Sequence, residues 1–142
     1  MQLTTHFTLE EMCATTHVIP NTLDPTDVCD SIIIEHLSRL CKQLERLRTE
    51  LGEPVYINSG YRSPTLNKAV GGAKHSLHQT GCAADISCSG VDDACRKMAI
   101  LARTCPGFTE LIIERRIKQS VVWLHFGYDI NWPRGYVAYR EA

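Results

Sequence analysis

Apolar residues recur every three or four positions between residues 33 and 51. They are Ile33, Leu37, Leu40, Leu44, Leu47 and Leu51. Steps of three and four place side chains on one face of a helix. The pattern therefore predicts one long amphipathic helix that runs to about Glu50. Asp24 or Thr26 is its expected N-cap, and Gly52 and Pro54 follow its expected end.

The rest of the chain predicts shorter helices and several strands. A capping box at residues 8–11 and the pair Ser63-Pro64 indicate two helix starts, and a second amphipathic helix is expected over residues 92–103. Residues 73–81 lack a clean period and predict a loop. Runs rich in β-branched and aromatic residues predict strands at 55–57, 83–87, 109–114, 121–128 and, at a sheet edge, 136–139. Because helices and strands do not alternate strictly, the expected fold class is α+β, with a small, mostly antiparallel sheet packed against helices.

Length and charge narrow the class of protein. The chain has 142 residues, which suits one domain over residues 1–142 with a single core. A net charge of −1 offers no basic excess, which argues against nucleic acid as a partner. No apolar run is long enough to span a bilayer, and residues 1–11 lack the pattern of a signal peptide. We expect a monomer that is synthesised in the cytoplasm.

The cysteines give no sign of a disulfide framework. There are seven, an odd number, and no two form a C-x-x-C pair. Structural zinc sites usually draw on closely spaced pairs, so a cysteine zinc site is not expected. In the absence of an export signal, reduced and buried thiols are the expected state.

One segment combines an imidazole and a carboxylate with small residues between them. His78 precedes Asp85 by seven residues, and Gly81 and two alanines lie between them. Small side chains let the backbone approach a site closely. Asp85 falls within an otherwise apolar strand, where a carboxylate is costly unless it is paired or bound to a metal. The alternative is an aspartate at a strand end that accepts backbone hydrogen bonds.

A second imidazole lies in a strand near the end of the chain. Strand alternation puts Trp123, His125 and Gly127 on one face, although a half-buried histidine bonded to a neighbour would look the same. Two histidines and one aspartate suit zinc with an open fourth position, as in catalytic sites. His78, Asp85 and His125 are therefore the candidate zinc ligands. Zinc there would acidify a water molecule and polarise a carbonyl group, which suits amide hydrolysis.

Three blocks of the sequence together resemble the M15 family of zinc peptidases. They are Ser59-Gly60-Tyr61-Arg62-Ser63, then Ser76-x-His78-x-x-Gly81-x-Ala83-x-Asp85, and then Trp123-x-His125. The family contains D-Ala-D-Ala carboxypeptidases, dipeptidases and phage endolysins with the hedgehog/DD-peptidase fold. The resemblance runs from Phe7 to about Tyr128 and points to the short, single-domain branch common in phages and prophages. It implies a peptidoglycan peptide as substrate, Zn2+ as cofactor and action at the cell wall after release.

The resemblance also implies roles for individual residues. His78, Asp85 and His125 correspond to the zinc ligands. Arg62 would bind the substrate and support the developing oxyanion, since a guanidinium can donate two hydrogen bonds. The alternative for Arg62 is an exposed loop arginine with no role. Ser76 would help to orient the substrate or would simply brace its loop.

One position departs from the family pattern. Well-studied members carry a glutamate or aspartate three residues before the last zinc histidine as general base, whereas this chain has Val122. Glu114 is the expected substitute, because its strand is predicted to pair with the strand of His125. An ion pair between Glu114 and a basic residue close in sequence is the alternative.

Two functions follow from these residues. The first is zinc-dependent hydrolysis of an amide bond in peptidoglycan peptides, of the D-Ala-D-Ala carboxypeptidase or endopeptidase type. The second is a catalytically weak or inactive zinc module that binds cell-wall peptides or a protein partner, which Val122 would favour. The other four histidines are expected to be ordinary surface or hydrogen-bonded residues: His6, His17, His36 and His75.

Overall fold

The computed structural model describes residues 1–142 and confirms the expected α+β class. The helices are α1 (Leu9–Met12), α2 (Val28–Leu51), α3 (Pro64–Ala69) and α4 (Val91–Thr104), and a 3₁₀ helix covers Leu77–Thr80. The strands are β1 (Ile57–Ser59), β2 (Ala83–Cys88), β3 (Glu110–Arg116), β4 (Val121–Gly127) and β5 (Tyr136–Glu141). None of the helices has both the length and the apolar character needed to cross a membrane.

The N-cap of α2 is Asp27, so the prediction of Asp24 or Thr26 was wrong. The Asp27 side chain accepts a hydrogen bond from the N–H of Asp30, which satisfies one free donor of the first turn. The Asp24 carboxylate is engaged earlier, because it accepts from the N–H and the hydroxyl of Thr26. Gly52 ends the helix as predicted, in the left-handed conformation with φ +68°.

The five strands form one sheet in the order β1-β2-β4-β3-β5. This order makes β5 an edge strand, as predicted. All neighbouring strands are antiparallel except β3 and β5, so the sheet is mostly antiparallel, also as predicted. Strand β1 was predicted at 55–57 but begins at Ile57. The ladder pairs Ile57 with Ile86 and Ser59 with Asp85, whereas Val55 is buried in the core. Pairing with β2, rather than local propensity, therefore sets the bounds of β1.

The two faces of the sheet differ in character. Helices α2 and α4 pack on one face, which carries the apolar alternate residues of the central strands. Those strand residues are Ala84, Ile86, Leu111, Ile113, Leu124 and Phe126, and all are buried. The predicted apolar face of α2 packs into the same core through Leu37, Leu40, Leu44, Leu47 and Leu51. The opposite face of the sheet is left to line a cleft.

The segment predicted as a loop over residues 73–81 contains the 3₁₀ helix. Its N-cap is Ser76, whose side chain accepts from the N–H of His78. Gly81 follows in the left-handed conformation, with φ +76°, and ends the turn. A capped short turn therefore holds this segment next to the start of β2.

The seven cysteines are free thiols with different exposures. Cys41, Cys82 and Cys105 are buried, and burial raises the pKa of the Cys41 thiol to about 12. The expectation of buried thiols was wrong for Cys29 and Cys95, which are exposed. They lie on α2 and α4 at positions that turn away from the buried stripe of each helix.

Candidate metal centre

Strand register places Asp85 and His125 side by side on the open face of the sheet. His125 on β4 has Asp85 as its partner on β2 and Ile112 as its partner on β3. Alternation along β4 predicted this face, and Leu124, one position away, is buried in the core. The register therefore brings a carboxylate and an imidazole together above the sheet.

His78 reaches the same place from the 3₁₀ helix. Its backbone carbonyl accepts from the N–H of Arg62 at 3.0 Å, which ties the turn to the segment after β1. Its imidazole Nδ1 donates to the carbonyl of Gly60 at 2.7 Å, which leaves Nε2 facing Asp85. Position 60 requires glycine, because a Cβ there would lie 2.3 Å from the carbonyl oxygen of Met12.

The three predicted ligands converge on one point. Asp85 Oδ1 lies 3.2 Å from His78 Nε2 and 3.1 Å from His125 Nδ1, and all three atoms lie within 4.8 Å of one another. These separations suit donors that share one ion at about 2.0–2.2 Å each. The three side chains are only 3%, 10% and 13% exposed, in the order His78, Asp85, His125. A buried carboxylate between two imidazoles fits zinc as the ion that these residues would hold.

Glu110 orients His125. Its Oε1 lies 2.7 Å from His125 Nε2, so the imidazole uses Nε2 to hold itself and directs Nδ1 at the metal centre. A carboxylate on the far nitrogen of a metal-binding histidine fixes the tautomer and the direction of the ring. Gly127 makes room for it, since a Cβ there would lie 2.6 Å from Glu110 Cγ.

Glu110 was not among the predicted site residues. The available signal was alternation along β3, which puts Glu110, Ile112 and Glu114 on one face. Only the register, in which Glu110 is the partner of Gly127, brings the carboxylate beside His125.

Protonation of the ligands is coupled. Burial alone would raise the pKa of Asp85, but the charge of His78 and the hydrogen bonds from His125 and His78 outweigh it and hold that pKa well below its usual range. Burial alone would lower the pKa of His125, but hydrogen bonds to Asp85 and Glu110 raise it to about 9. These contacts favour the protonated form of His125, so a metal ion has to compete with a proton for its imidazole.

Arg62 lies against the other oxygen of Asp85. Its Nη2 donates to Asp85 Oδ2 at 3.1 Å, Nε to Ser59 Oγ at 3.0 Å and Nη1 to Asn67 Oδ1 at 3.3 Å. A guanidinium has five N–H donors, so about two remain available to a ligand. The side chain is 17% exposed and lines the cleft, which distinguishes it from an unconstrained loop arginine.

Glu114 lies on the same face of the sheet, two residues along β3 from Ile112, the strand partner of His125. Its partner across β3 and β4 is Trp123. Its Oε1 lies 3.7 Å from Nη1 of Arg140 on β5, so the cation beside it comes from a neighbouring strand rather than from nearby sequence. Burial raises the pKa of Glu114, although Arg140 and His125 act to lower it.

Val122 faces the other way. It is an odd number of positions from His125, and its side chain packs against the hydrophobic core. A side chain at this position in this chain is therefore directed away from the metal centre, and the loss of an acid there removes nothing from the cleft.

The site residues line one cleft of about 510 Å³. Ser76 and His75 form part of its wall, so His75, which is exposed as expected for a loop residue, also borders the site. Two tryptophans and several arginines complete the lining: Trp123, Trp132, Arg62, Arg116, Arg134 and Arg140.

The α+β domain places two imidazoles and a carboxylate at an open cleft, with His78 on the 3₁₀ helix and Asp85 and His125 on the sheet. With further carboxylates and a guanidinium around them, this is the architecture of a metallohydrolase. The chain belongs to the peptidase M15 family, since the model of that family, described as "Peptidase M15", matches residues 5–121. The matched residues include the first two of the three sequence blocks, so the match confirms the resemblance to the family and supports zinc as the metal.

Part of the chain is also similar to a zinc peptidase. The zinc D-Ala-D-Ala carboxypeptidase of Streptomyces albus G is 41% identical to this chain over 71 residues. The matched region covers 49% of this chain and 27% of the relative. The chain thus matches about a quarter of the length of that enzyme.

Proposed function

We propose that this protein is a zinc metallopeptidase that hydrolyses an amide bond in peptidoglycan peptides, of the D-Ala-D-Ala carboxypeptidase or endopeptidase type. The convergence of His78, Asp85 and His125 on an open cleft carries the proposal. Family membership and the zinc carboxypeptidase relative support the peptide substrate. We further propose that residues 1–142 form one catalytic domain, which acts as a monomer at the cell wall.

Zinc held by these three side chains would polarise the scissile carbonyl and acidify an attacking water molecule. The chain provides the remaining functions. Glu110 keeps the His125 ring in its orientation through the 2.7 Å contact to Nε2. Gly60 does the same for His78 through its backbone carbonyl. Both imidazoles are thus directed at the site before any ligand arrives.

Arg62 would bind the substrate oxygen. Three of its donors hold Asp85, Ser59 and Asn67, which fixes the plane of the guanidinium. The remaining donors can reach a carbonyl oxygen or a terminal carboxylate, and they stabilise negative charge that develops on that oxygen. Ser76 lines the cleft, and its Oγ accepts from the N–H of His78. The hydroxyl proton of Ser76 would therefore be able to donate to a bound substrate.

Glu114 would transfer the proton. It lines the cleft on the same face as His125, and burial raises its pKa toward the range useful to a general base. The carboxylate would take a proton from the attacking water and deliver it to the departing amine nitrogen. Arg140, 3.7 Å away, would limit how far the carboxylate can swing.

The test is hydrolysis of D-Ala-D-Ala peptides and of larger wall peptides by zinc-loaded protein. Glu114→Gln is expected to lower kcat by about 100-fold or more, with zinc stoichiometry unchanged. The matched control is Glu141→Gln, since Glu141 is an exposed acid of β5 that does not line the cleft. Zinc-loaded wild-type protein that cleaves no peptide of the panel would overturn the proposal.

The alternative is a zinc module that binds wall peptides without cleaving them. Val122 in place of an acid motivates it. This alternative predicts tight peptide binding, full zinc occupancy and no product from wild-type protein. A turnover that disappears in Glu114→Gln, but persists in Glu141→Gln, would exclude it.

A further inference from the structure

Positive charge is concentrated in the cleft. The chain as a whole has 15 basic and 16 acidic residues, so the protein has no general basic character. The cleft, in contrast, is lined by four arginines and three carboxylates, and a bound divalent cation would increase the excess. A cleft in which charges of one sign are in excess raises the local concentration of oppositely charged ligands. Anionic ligands are therefore favoured here although the surface overall is slightly acidic.

Two of the arginines flank Glu114 in the lining of the cleft. The register makes Glu114 the partner of Trp123 on β4 and of Arg140 on β5. Arg116 follows Glu114 by two positions and so projects from the same face. Its guanidinium lies 5.5 Å from the centroid of the Trp123 ring. Arg116, Trp123 and Arg140 are called the arginine subsite below.

The arginine subsite has more positive charge than its carboxylate neutralises. Glu114 is the acid that faces it, and the Glu114 carboxylate lies 3.7 Å from Arg140. Arg116 forms no ion pair and contacts the indole ring instead. Because Arg116 has no anionic partner, an anion that a ligand brings to its guanidinium would be stabilised by a charge-assisted hydrogen bond. The contact with Trp123 also restricts the Arg116 side chain, which reduces the entropy lost on binding.

We propose that the arginine subsite binds the carboxylate of an acidic residue in the peptide substrate. The proposal rests on the proposed function, because it names the class of peptide that the cleft would select. Arg116 lies four positions along β3 from Ile112, the strand partner of His125. That separation is about 13 Å, or roughly four residues of extended peptide. The acidic residue therefore lies within about four residues of the cleaved bond, and Trp123 packs against its aliphatic stem.

The test uses pairs of short peptides that differ only in glutamate or glutamine, at positions on either side of the cleaved bond. Dissociation constants are measured by calorimetry with metal-free protein, where no turnover occurs, and kcat/KM with zinc-loaded protein. Wild-type protein is expected to prefer the glutamate peptide of one pair by about tenfold, the effect of a charge-assisted hydrogen bond. In Arg116→Gln the glutamate-to-glutamine ratio should fall toward one in both measurements.

Arg115→Gln is the matched control. Arg115 belongs to the same strand but faces away from the cleft, is exposed and pairs with Glu141 at 3.7 Å, so its removal should leave the ratio unchanged. Equal binding of both peptides of every pair by wild-type protein would overturn the subsite, even if the protein hydrolyses them. An Arg116-dependent preference in binding without hydrolysis would support the subsite and overturn the proposed function. Arg116-dependent binding of inorganic polyphosphate with no glutamate preference would assign the subsite to a polyanion and overturn the peptide proposal.

Discussion

At the scale of single residues, each histidine of the metal centre divides its two ring nitrogens between support and binding. His78 uses Nδ1 on the carbonyl of Gly60, and His125 uses Nε2 on the carboxylate of Glu110. A carbonyl oxygen can only accept a hydrogen bond, so the supporting nitrogen of His78 must carry its proton. The binding nitrogens are thereby left to face Asp85. The supports differ in kind, since one is backbone and the other a side chain that mutation can remove.

Replacing Glu110 by alanine is expected to weaken zinc binding by about 10- to 100-fold, the usual effect of removing a carboxylate behind a metal-bound histidine. The His125 ring would lose its 2.7 Å contact and rotate away from the position that faces Asp85. Competition with a chromophoric chelator measures the affinity directly.

Glu110→Gln distinguishes support from charge. The glutamine carbonyl can still accept from His125 Nε2, so most of the affinity should return if the role of Glu110 is to hold the ring. Glu141→Gln again serves as the control on the far side of β5. Zinc affinity in Glu110→Ala equal to that of wild-type protein would contradict the assigned role.

At the scale of helices and strands, the buried faces of single elements could be predicted from the sequence, whereas the register between strands could not. Leucine spacing identified the buried face of α2, and alternation identified the face of β4 that carries His125, because both depend only on the period of the element. The bounds of β1 and the position of Glu110 depend on which residues become partners across strands, and register is a property of distant segments. The three metal ligands were accessible to sequence because their spacing forms a signature. Their support by Glu110 and the arginine subsite had no such signature.

The packing of α1 against the segment after β1 is expected to tolerate no side chain at position 60. A Cβ on Gly60 would lie 2.3 Å from the carbonyl oxygen of Met12, and backbone cannot move as a side-chain end can. Gly60→Ala should lower the free energy of unfolding by about 1–3 kcal/mol, as overpacking does. It should also weaken zinc binding, because the displaced carbonyl supports His78. Urea unfolding of metal-free protein measures the first effect and chelator competition the second.

Gly90→Ala provides the comparison. Gly90 is extended, with φ 173°, and a Cβ there would meet nothing within 4 Å. Gly90 is the N-cap of α4, where alanine is less favourable than glycine, so this variant should lower the unfolding free energy by less than about 1 kcal/mol. If Gly60→Ala were no less stable than Gly90→Ala, the close contact with Met12 would have no energetic importance.

At the scale of the whole molecule, one buried cation links the helical layer to the sheet. Lys97 lies on the buried face of α4 and is 7% exposed. Its Nζ donates at 2.8 Å both to the carbonyl of Ser87 on β2 and to the carboxylate of Asp93, one turn earlier on α4. An ammonium group in the core is tolerated only with such partners. The same strand that carries Asp85 into the metal centre is thus held from behind by α4.

Asp93→Asn is expected to cost about 2 kcal/mol at neutral pH, because it leaves the ammonium of Lys97 buried without its counter-charge. Burial acts to raise the pKa of Asp93, but the hydrogen bonds from Lys97 and from the N–H of Ser89, and the charge of Lys97, lower it below its ordinary value. A carboxyl group whose pKa is lowered by folding binds fewer protons in the folded state. Its contribution is therefore complete above the unfolded pKa of about 3.9 and is lost as pH falls through the lower folded value. Urea unfolding between pH 7 and pH 2 should show wild-type and Asp93→Asn proteins converging in acid.

Asp92→Asn removes an exposed acid from the same first turn of α4 and should cost less than about 0.5 kcal/mol. Equal losses in the two variants would mean that the effect comes from the helix dipole rather than from the link between α4 and the sheet.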